Sequence, residues 1–403
     1  MQPTGSHQRG RAIAMLLTGF TTQNLAMGTT FGAYGLIVAT LTQEFQTSNS
    51  LVALGMGMVA LCVGLAAPVV GTLLDRWSVR SVMLLGALTA ALGFITAAQA
   101  QSIAVFLFCF GLLVGLGITF IGPLPSAKLA SGWFPQAPGK AIGFIGIALL
   151  MAIGPPIYSH WIDAHGWRSL FTLLGIVFLL TLPLLWFVKE PPGSVASGVQ
   201  SDTGATTHRS AGGFASGRVW QIGVLGGLLF AGGVAQSTHI VNYALRQGID
   251  SGHAALLMSV LGFAASAGSL LWGGVADRFG PAQALRGLAV AQAILWAVEA
   301  HLTGFVALAT LVAIMAICSG GVLAALCALV VKVYGQAHFG TALGRVMLIV
   351  TPFNFLAAPV AGMLFDATGS YTLAFYLMSA LNGIALVLLL TPGARFQPDR
   401  AGT

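Results

Sequence analysis

Charge is what this sequence has least of. Its 403 residues include ten Asp and Glu and seventeen Lys and Arg, 7% together, where a soluble globular protein carries about 25%. With hydrophobic residues at 57%, so few charges cannot cover a water-soluble fold of this size. The composition therefore predicts a polytopic membrane protein. Cysteine is scarce too. Cys62, Cys109, Cys318 and Cys327 all lie in apolar runs, which excludes a disulfide or metal framework and predicts free, buried thiols. The period-2 alternation of a membrane β-barrel is missing, as are N-x-Ser/Thr acceptors and lipidation motifs.

Catalytic signatures are absent as well. Gly55-Met-Gly57 and Gly115-Leu-Gly117 fall inside apolar runs, so they read as close-packing glycines and not as dinucleotide turns. No metal-spaced His/Cys set or nucleophile elbow is present, so neither an enzyme, a metal site nor a cofactor is expected. The net charge of +7 comes from basic residues scattered singly, without the stripe that nucleic-acid binding needs.

What the sequence does have is long apolar runs. A helix crosses the hydrocarbon core with about 20 residues. Breaks at charged, Gly/Pro and polar clusters predict twelve spans: 13–41, 50–74, 82–99, 103–129, 140–162, 168–188, 219–245, 254–275, 284–300, 303–331, 341–365 and 371–391. Arg9 and Arg11 before Ala12–Phe20 imitate a signal peptide, but the apolar character continues to Leu41, so a retained first helix is expected. The Gly/Ser/Thr-rich stretch 189–218 cannot build a core and is expected to link two six-helix halves, 1–188 and 219–403.

Positive charge sets the expected orientation. With both termini inside, Arg168 and Arg246 alone among the seventeen basic residues fall outside. The opposite orientation inverts that ratio. Short outer loops and the lack of glycosylation acceptors suit a bacterial inner membrane.

The halves repeat. Gly71-Thr-Leu-Leu-Asp75-Arg76 recurs as Gly273-Gly-Val-Ala-Asp277-Arg278, Gly139-Lys-Ala-Ile-Gly143 as Gly340-Thr-Ala-Leu-Gly344, and Asp163-Ala-His-Gly166 as Asp366-Ala-Thr-Gly369. Each pair falls at the same place in its six-helix set. Six crossings return the chain to its starting side, so the repeats are parallel, an architecture of secondary transporters.

Few polar side chains lie deep. No Asp or Glu is expected inside a span: Glu44, Asp163, Asp250, Glu299 and Asp366 fall at outer ends and the other five on the inner side. That argues against a cation site. Span midpoints place Asn24, Thr119, Gln236, Ser319 and Asn354 near mid-depth. Asn24 and Asn354 read equally as substrate contacts or as interhelical hydrogen-bonding glue, Asn382 as glue, and Thr119 and Ser319 as small packing residues or contacts. His239 is the one histidine inside a span. It reads as a group that takes a proton while pairing with an anion, or as an interfacial residue. Pro155-Pro156 and Pro352 read as breaks that supply free carbonyls near the pathway, or equally as ordinary kinks.

Gly71-Thr-Leu-Leu-Asp75-Arg76-Trp-Ser-Val-Arg80 and Gly273-Gly-Val-Ala-Asp277-Arg278-Phe-Gly280 resemble the loop signature G-x-x-x-D-R-x-G-R-[RK] of the major facilitator superfamily. Ser78 stands in place of a Gly, Val79 in place of a basic residue, and Pro281 and Ala282 in place of the second basic pair. The resemblance covers essentially the whole chain. It implies an all-α, twelve-helix fold in which helices 1, 4, 7, 10 and 11 line the cavity. It also implies a latch of Asp75, Arg76, Arg80, Asp277 and Arg278 across the inner helix ends. Lys128 and Lys332, 204 residues apart, read as topology markers or as an anion-attracting vestibule.

Gln236-Ser-Thr-His239-Ile-Val-Asn-Tyr-Ala is similar to the monocarboxylate and oxalate–formate branch, although residues 254–275 lack the arginine that branch often carries. The resemblance implies a monomeric transporter moving a small organic anion with a proton. An exporter of neutral amphiphiles is the alternative.

Overall fold

The computed structural model describes residues 6–134, 138–190, 217–334 and 339–391, and no strand occurs among them. Most of the expected linker, 191–216, lies outside the described residues. Twelve helical segments follow in order: α1 (Ser6–Glu44), α2 (Asn49–Arg76), α3 (Val79–Ala98), α4 (103–133), α5 (138–165), α6 (167–186), α7 (Gly217–Arg246), α8 (Ser251–Phe279), α9 (Pro281–Glu299), α10 (Phe305–Tyr334), α11 (Phe339–Thr368) and α12 (Thr372–Leu390). Eleven segments are long and apolar enough to cross a membrane, α9 being the exception. Its Gln283, Arg286, Gln292 and Glu299 dilute the apolar signal, and Gln292 and Glu299 are turned inward and buried.

The chain starts α1 and ends α12 on one face, called here the near face; the opposite one is the far face. Helix ends follow ordinary capping chemistry. Ser48 accepts from the backbone N–H of Leu51 at the start of α2, and Ser78 from that of Ser81 at the start of α3. Ser78, where the loop signature has Gly, is thus an N-cap. The second copy instead turns on Gly280, at φ +92°, a left-handed conformation that favours glycine.

The core of the first half continues into the far ends of α7, α8 and α10, and two further clusters lie within the second half. Around α3, α4 and α6, Phe106 stacks on Phe110 and Phe94 on Phe178, both with ring centroids 5.7 Å apart. In the second half α9 packs against α10 and α12, as α3 packs against α4 and α6. The repeat seen in the sequence is therefore a repeat of packing.

Helix breaks differ from expectation. The chain runs as helix through Pro155-Pro156 and through Pro352 and Pro359. The break in α5 falls earlier, between Ile145 and Leu149. Asn24 on α1 repairs it: its Nδ2 donates to the Ile147 carbonyl at 3.0 Å, and its Oδ1 accepts from the Leu150 N–H at 2.9 Å. This clasp is an interhelical hydrogen-bonding contact, one of the two alternatives that the sequence offers for Asn24. Asn24→Ala removes two part-buried hydrogen bonds across the break, so a loss of about 1 kcal/mol is expected, read as a lower unfolding midpoint in detergent.

Candidate functional site

The site of interest is the seam between the halves, built from α2 against α11 and α5 against α8, with α1 against α7. Glycines report how closely the seam is shut. A Cβ on Gly362, at the far end, would collide with the backbone of Asn49 and Ser50; one on Gly57 with the Phe355 carbonyl; one on Gly64 with the Thr351 side chain. At Gly71 and Gly344, toward the near face, it would meet nothing within 4 Å. The second seam behaves alike: Gly262 abuts the backbone of Met151 and Ala152, whereas Gly143 and Gly274 are open. The halves are zipped along the far side and splayed at the near side. The molecule is caught open to the face that carries its termini.

Two acidic helix ends hold the far side shut. Asp366, at the end of α11, accepts from the Asn49 N–H at 3.0 Å, the Asn49 amide at 2.9 Å and the Ser50 N–H at 2.9 Å. It thereby caps the N-terminus of α2 in the other half, where the helix dipole favours a negative charge. Its repeat partner Asp163, at the end of α5, accepts from the Ser251 hydroxyl at 3.0 Å, at the start of α8. Beside it Asp250 caps α8, and the His253 backbone N–H, with its imidazole, holds that carboxyl below the usual carboxylate range. The sequence displayed the Asp163/Asp366 repeat without saying what either carboxylate meets. Across the far end of α1, Glu44 pairs with Arg168 at 2.5 Å, fastening α1 to α6.

A hydrogen-bond chain leads inward from this clasp. Asn242 Nδ2 donates to Asn49 Oδ1 at 3.0 Å and to the Tyr371 hydroxyl at 2.9 Å. Tyr371 lies 3.1 Å from His239 Nδ1, and His239 Nε2 lies 2.9 Å from the Ala358 carbonyl. A carbonyl only accepts, so a neutral imidazole carries its proton on Nε2 and accepts from Tyr371 at Nδ1. His239 is buried, not interfacial. Asn49 and Tyr371 carry no sequence signal of their own: Tyr371 meets Asn242 and His239 only once α7 and α12 pack together, and Asn49 meets Asn242 only once the two halves dock.

One acid stands at the expected helix end but in an environment that the sequence does not reveal. Glu299 is at a helix end, yet it is fully buried. Gln236 donates to it across 3.4–3.5 Å, and both border a narrow cavity shared with His239, Trp296 and Tyr371.

The remaining expected residues are scattered. Thr119 bonds the Gly115 carbonyl and Ser319 the Met315 carbonyl, one turn back in their own helices. Asn382 likewise bonds its own helix at Met378, which removes it as interhelical glue. Asn354 is partly exposed and keeps its Oδ1 without a hydrogen-bond partner. Lys128 donates to the Leu74 carbonyl, and Lys332 is exposed. Arg80 lies over the Trp186 ring of its own half at 5.5 Å, and Arg76, Asp277 and Arg278 are exposed. The Asp75 side chain lies outside the described residues. Among the described residues, no hydrogen bond or ion pair joins the near ends of the two halves through Arg76, Arg80, Asp277 or Arg278, as the splayed geometry requires.

Comparison with known proteins agrees with this architecture. The sequence model described as Major Facilitator Superfamily matches residues 19–294 and 225–402. Monocarboxylate transporter 6 of Homo sapiens is 24% identical over 408 residues, 91% of this chain and 77% of that protein. Monocarboxylate transporter 11 of Homo sapiens is 28% identical over 405 residues, 94% and 82% respectively. The inward-facing, occupied crystal structure of a bacterial homolog to the human lysosomal transporter Spinster superposes with a TM-score of 0.76 at 16% identity, covering 98% of this chain and 96% of that one. With twelve helices in two parallel repeats and a seam open at one end, the chain belongs to the major facilitator superfamily, multi-pass membrane transporters that work by alternating access.

Proposed function

We propose that this transporter carries a small organic anion, a monocarboxylate, together with a proton, across a bacterial inner membrane with both termini in the cytoplasm. The carrying observation is the similarity to proteins named monocarboxylate transporters along more than nine-tenths of the chain. The concentration of Lys and Arg on the near side supports the orientation, making the present state open to the cytoplasm. On this proposal Asn354, with its free acceptor and amide, faces the substrate, and His239 meets the anion at another stage. In the present state both its ring nitrogens are occupied within its own half. The Asn242–Asn49 bond crosses the seam, so opening the far side breaks the chain at that link.

The test is uptake of labelled short monocarboxylates into proteoliposomes, with and without an inward proton gradient. Accumulation that follows the gradient and is largely lost in His239→Ala is the expected result. Uptake of amphiphiles alone, with no carboxylate moving under any gradient, overturns the proposal and favours the neutral-substrate alternative. Persistent, pH-dependent uptake in His239→Ala removes that residue's role alone.

A further inference from the structure

The geometry points to Glu299 as a proton-binding site whose occupancy is linked to closure of the far side. The link runs through Gln236 and α7, and the carboxyl sits behind the seam, in a cavity that it shares with His239. α9 is not part of either seam; it sits behind α10 and α12 within the second half. A carboxyl at that place, with no access to solvent, needs a reason.

Its surroundings suit the neutral acid and not the anion. Facing it are Gln236, His239 and Tyr243 of α7, Tyr371 ahead of α12, and Trp296 of its own helix. No ion pair to Glu299 exists among the described residues. The nearest basic group along α7, Arg246, has its guanidinium over the Phe365 ring at 4.5 Å. His301 is exposed and bonded to Tyr376. The near-facing stretch of α10 up to Lys332 holds no charged residue. At the start of α8, Asp250 and His253 are exposed and paired with each other. One long amide contact is the whole support for the carboxyl, and a buried carboxylate left so nearly bare is too costly to keep its charge. The acid therefore holds its proton in this state.

A second observation marks the same cavity. The Trp296 indole N–H, on a residue 1% exposed, has no hydrogen-bond partner. The cavity is at the lower limit of size for a single water molecule and its walls are apolar, so it offers the indole donor and the carboxyl no partner in this state.

The link to conformation follows from spacing along α7. Gln236, His239 and Asn242 recur at intervals of three residues, on adjoining turns of one face. Gln236 meets Glu299, His239 meets α11, and Asn242 crosses to the other half at Asn49. Ionising Glu299 calls for donors and water that the packed state does not supply, and admitting them requires α7 to move away from α9. That movement pulls Asn242 off Asn49. Protonation thus favours the far-closed state; the favour is complete at low pH and is lost as pH rises through the site's range. The inference uses the alternating-access architecture and goes beyond the choice of substrate.

The experiment needs no substrate. In a cysteine-free background in lipid nanodiscs, spin labels at Gln43 and Ala367, both exposed at the far face, report the far-side separation between about pH 5.5 and pH 8.5. Native Glu299 should give a separation whose open fraction grows with pH, by up to about tenfold per unit for one linked proton. Glu299→Gln should hold the short distance throughout, and Glu299→Asp should restore the dependence. Infrared pH-difference spectra should show a protonated carboxyl band that disappears in Glu299→Gln. A native distance independent of pH, or a Glu299→Gln variant as pH-dependent as the native protein, overturns the inference; the second outcome assigns the dependence to His239. Carboxylate uptake can fail without touching either result.

Discussion

Replacing Asp366 with Asn is expected to raise the far-open population by about 5–30-fold. The carboxylate accepts three hydrogen bonds from the first residues of α2. Both oxygens are used, one for Asn49 and one for Ser50. An amide retains a single acceptor and points an NH2 group at a backbone N–H, so one bond is lost and one contact becomes repulsive. Charge-assisted bonds contribute about 1.5–3 kcal/mol each when shielded. Asp366 is exposed, which screens it, and about 1–2 kcal/mol in all is the reasonable figure, equivalent to that population change. The partners lie in different halves, so the loss falls on the equilibrium between states more than on the fold. Spin-label distances across the far face check it. An unchanged distance distribution in Asp366→Asn means that the packing of α2 on α11 closes the gate without the acid. Asp163→Asn should act in the same direction and more weakly, because a single side-chain hydroxyl is its described partner.

The fold was legible in the sequence because a bilayer simplifies the physics. Spans must be long, apolar and hydrogen-bonded within themselves, and parallel repeats leave marks at equal offsets. The segment with the weakest apolar signal, α9, buries Gln292 and Glu299, and hydropathy cannot tell an inward Glu from an interfacial one. The placement of Glu299 at an outer end was right in depth and wrong in environment. Proline misled in another way. Pro155 and Pro156 sit inside a continuous helix, while the real break needed Asn24, 123 residues away, to satisfy Ile147. Such a contact is a property of the docked helices, and no local pattern announces it. The candidate site was half legible: His239 and Gln236 stood out as polar residues in an apolar span. The residues chained to them, Tyr371, Asn242 and Asn49, did not, because a turn tyrosine and two asparagines near helix ends look ordinary until the helices pack and, for Asn49, until the halves meet.

Glycine substitutions should separate gating from folding, with the largest effects of any change considered. Gly57 on α2 faces the Phe355 carbonyl across the seam, whereas Gly268 on α8 and Gly320 on α10 face the carbonyls of Ile317 and Ala265 within one half. In each place a side chain would overlap backbone, which cannot swing aside as a flexible side chain can. Overpacking of this kind costs about 1–3 kcal/mol and sometimes more. At Gly268 and Gly320 the two helices stay together through the whole cycle, so the cost falls on folding. Gly268→Leu should give low yield and a depressed unfolding midpoint in every state. At Gly57 the clash exists solely while the far side is closed, and the molecule can escape it by opening. Gly57→Leu should therefore fold with a near-native midpoint yet shift toward far-open by up to about a hundredfold, with transport stalled because the cycle cannot pass through the near-open state. The discriminating pair of measurements is the far-side distance and the unfolding midpoint on the same preparation. A far-open distance with a native midpoint in Gly57→Leu, beside an unstable Gly268→Leu, is what rigid halves rocking about a shared seam require. If Gly57→Leu instead kept the closed distance, α2 and α11 would have to yield locally, and the halves could not be treated as rigid bodies there.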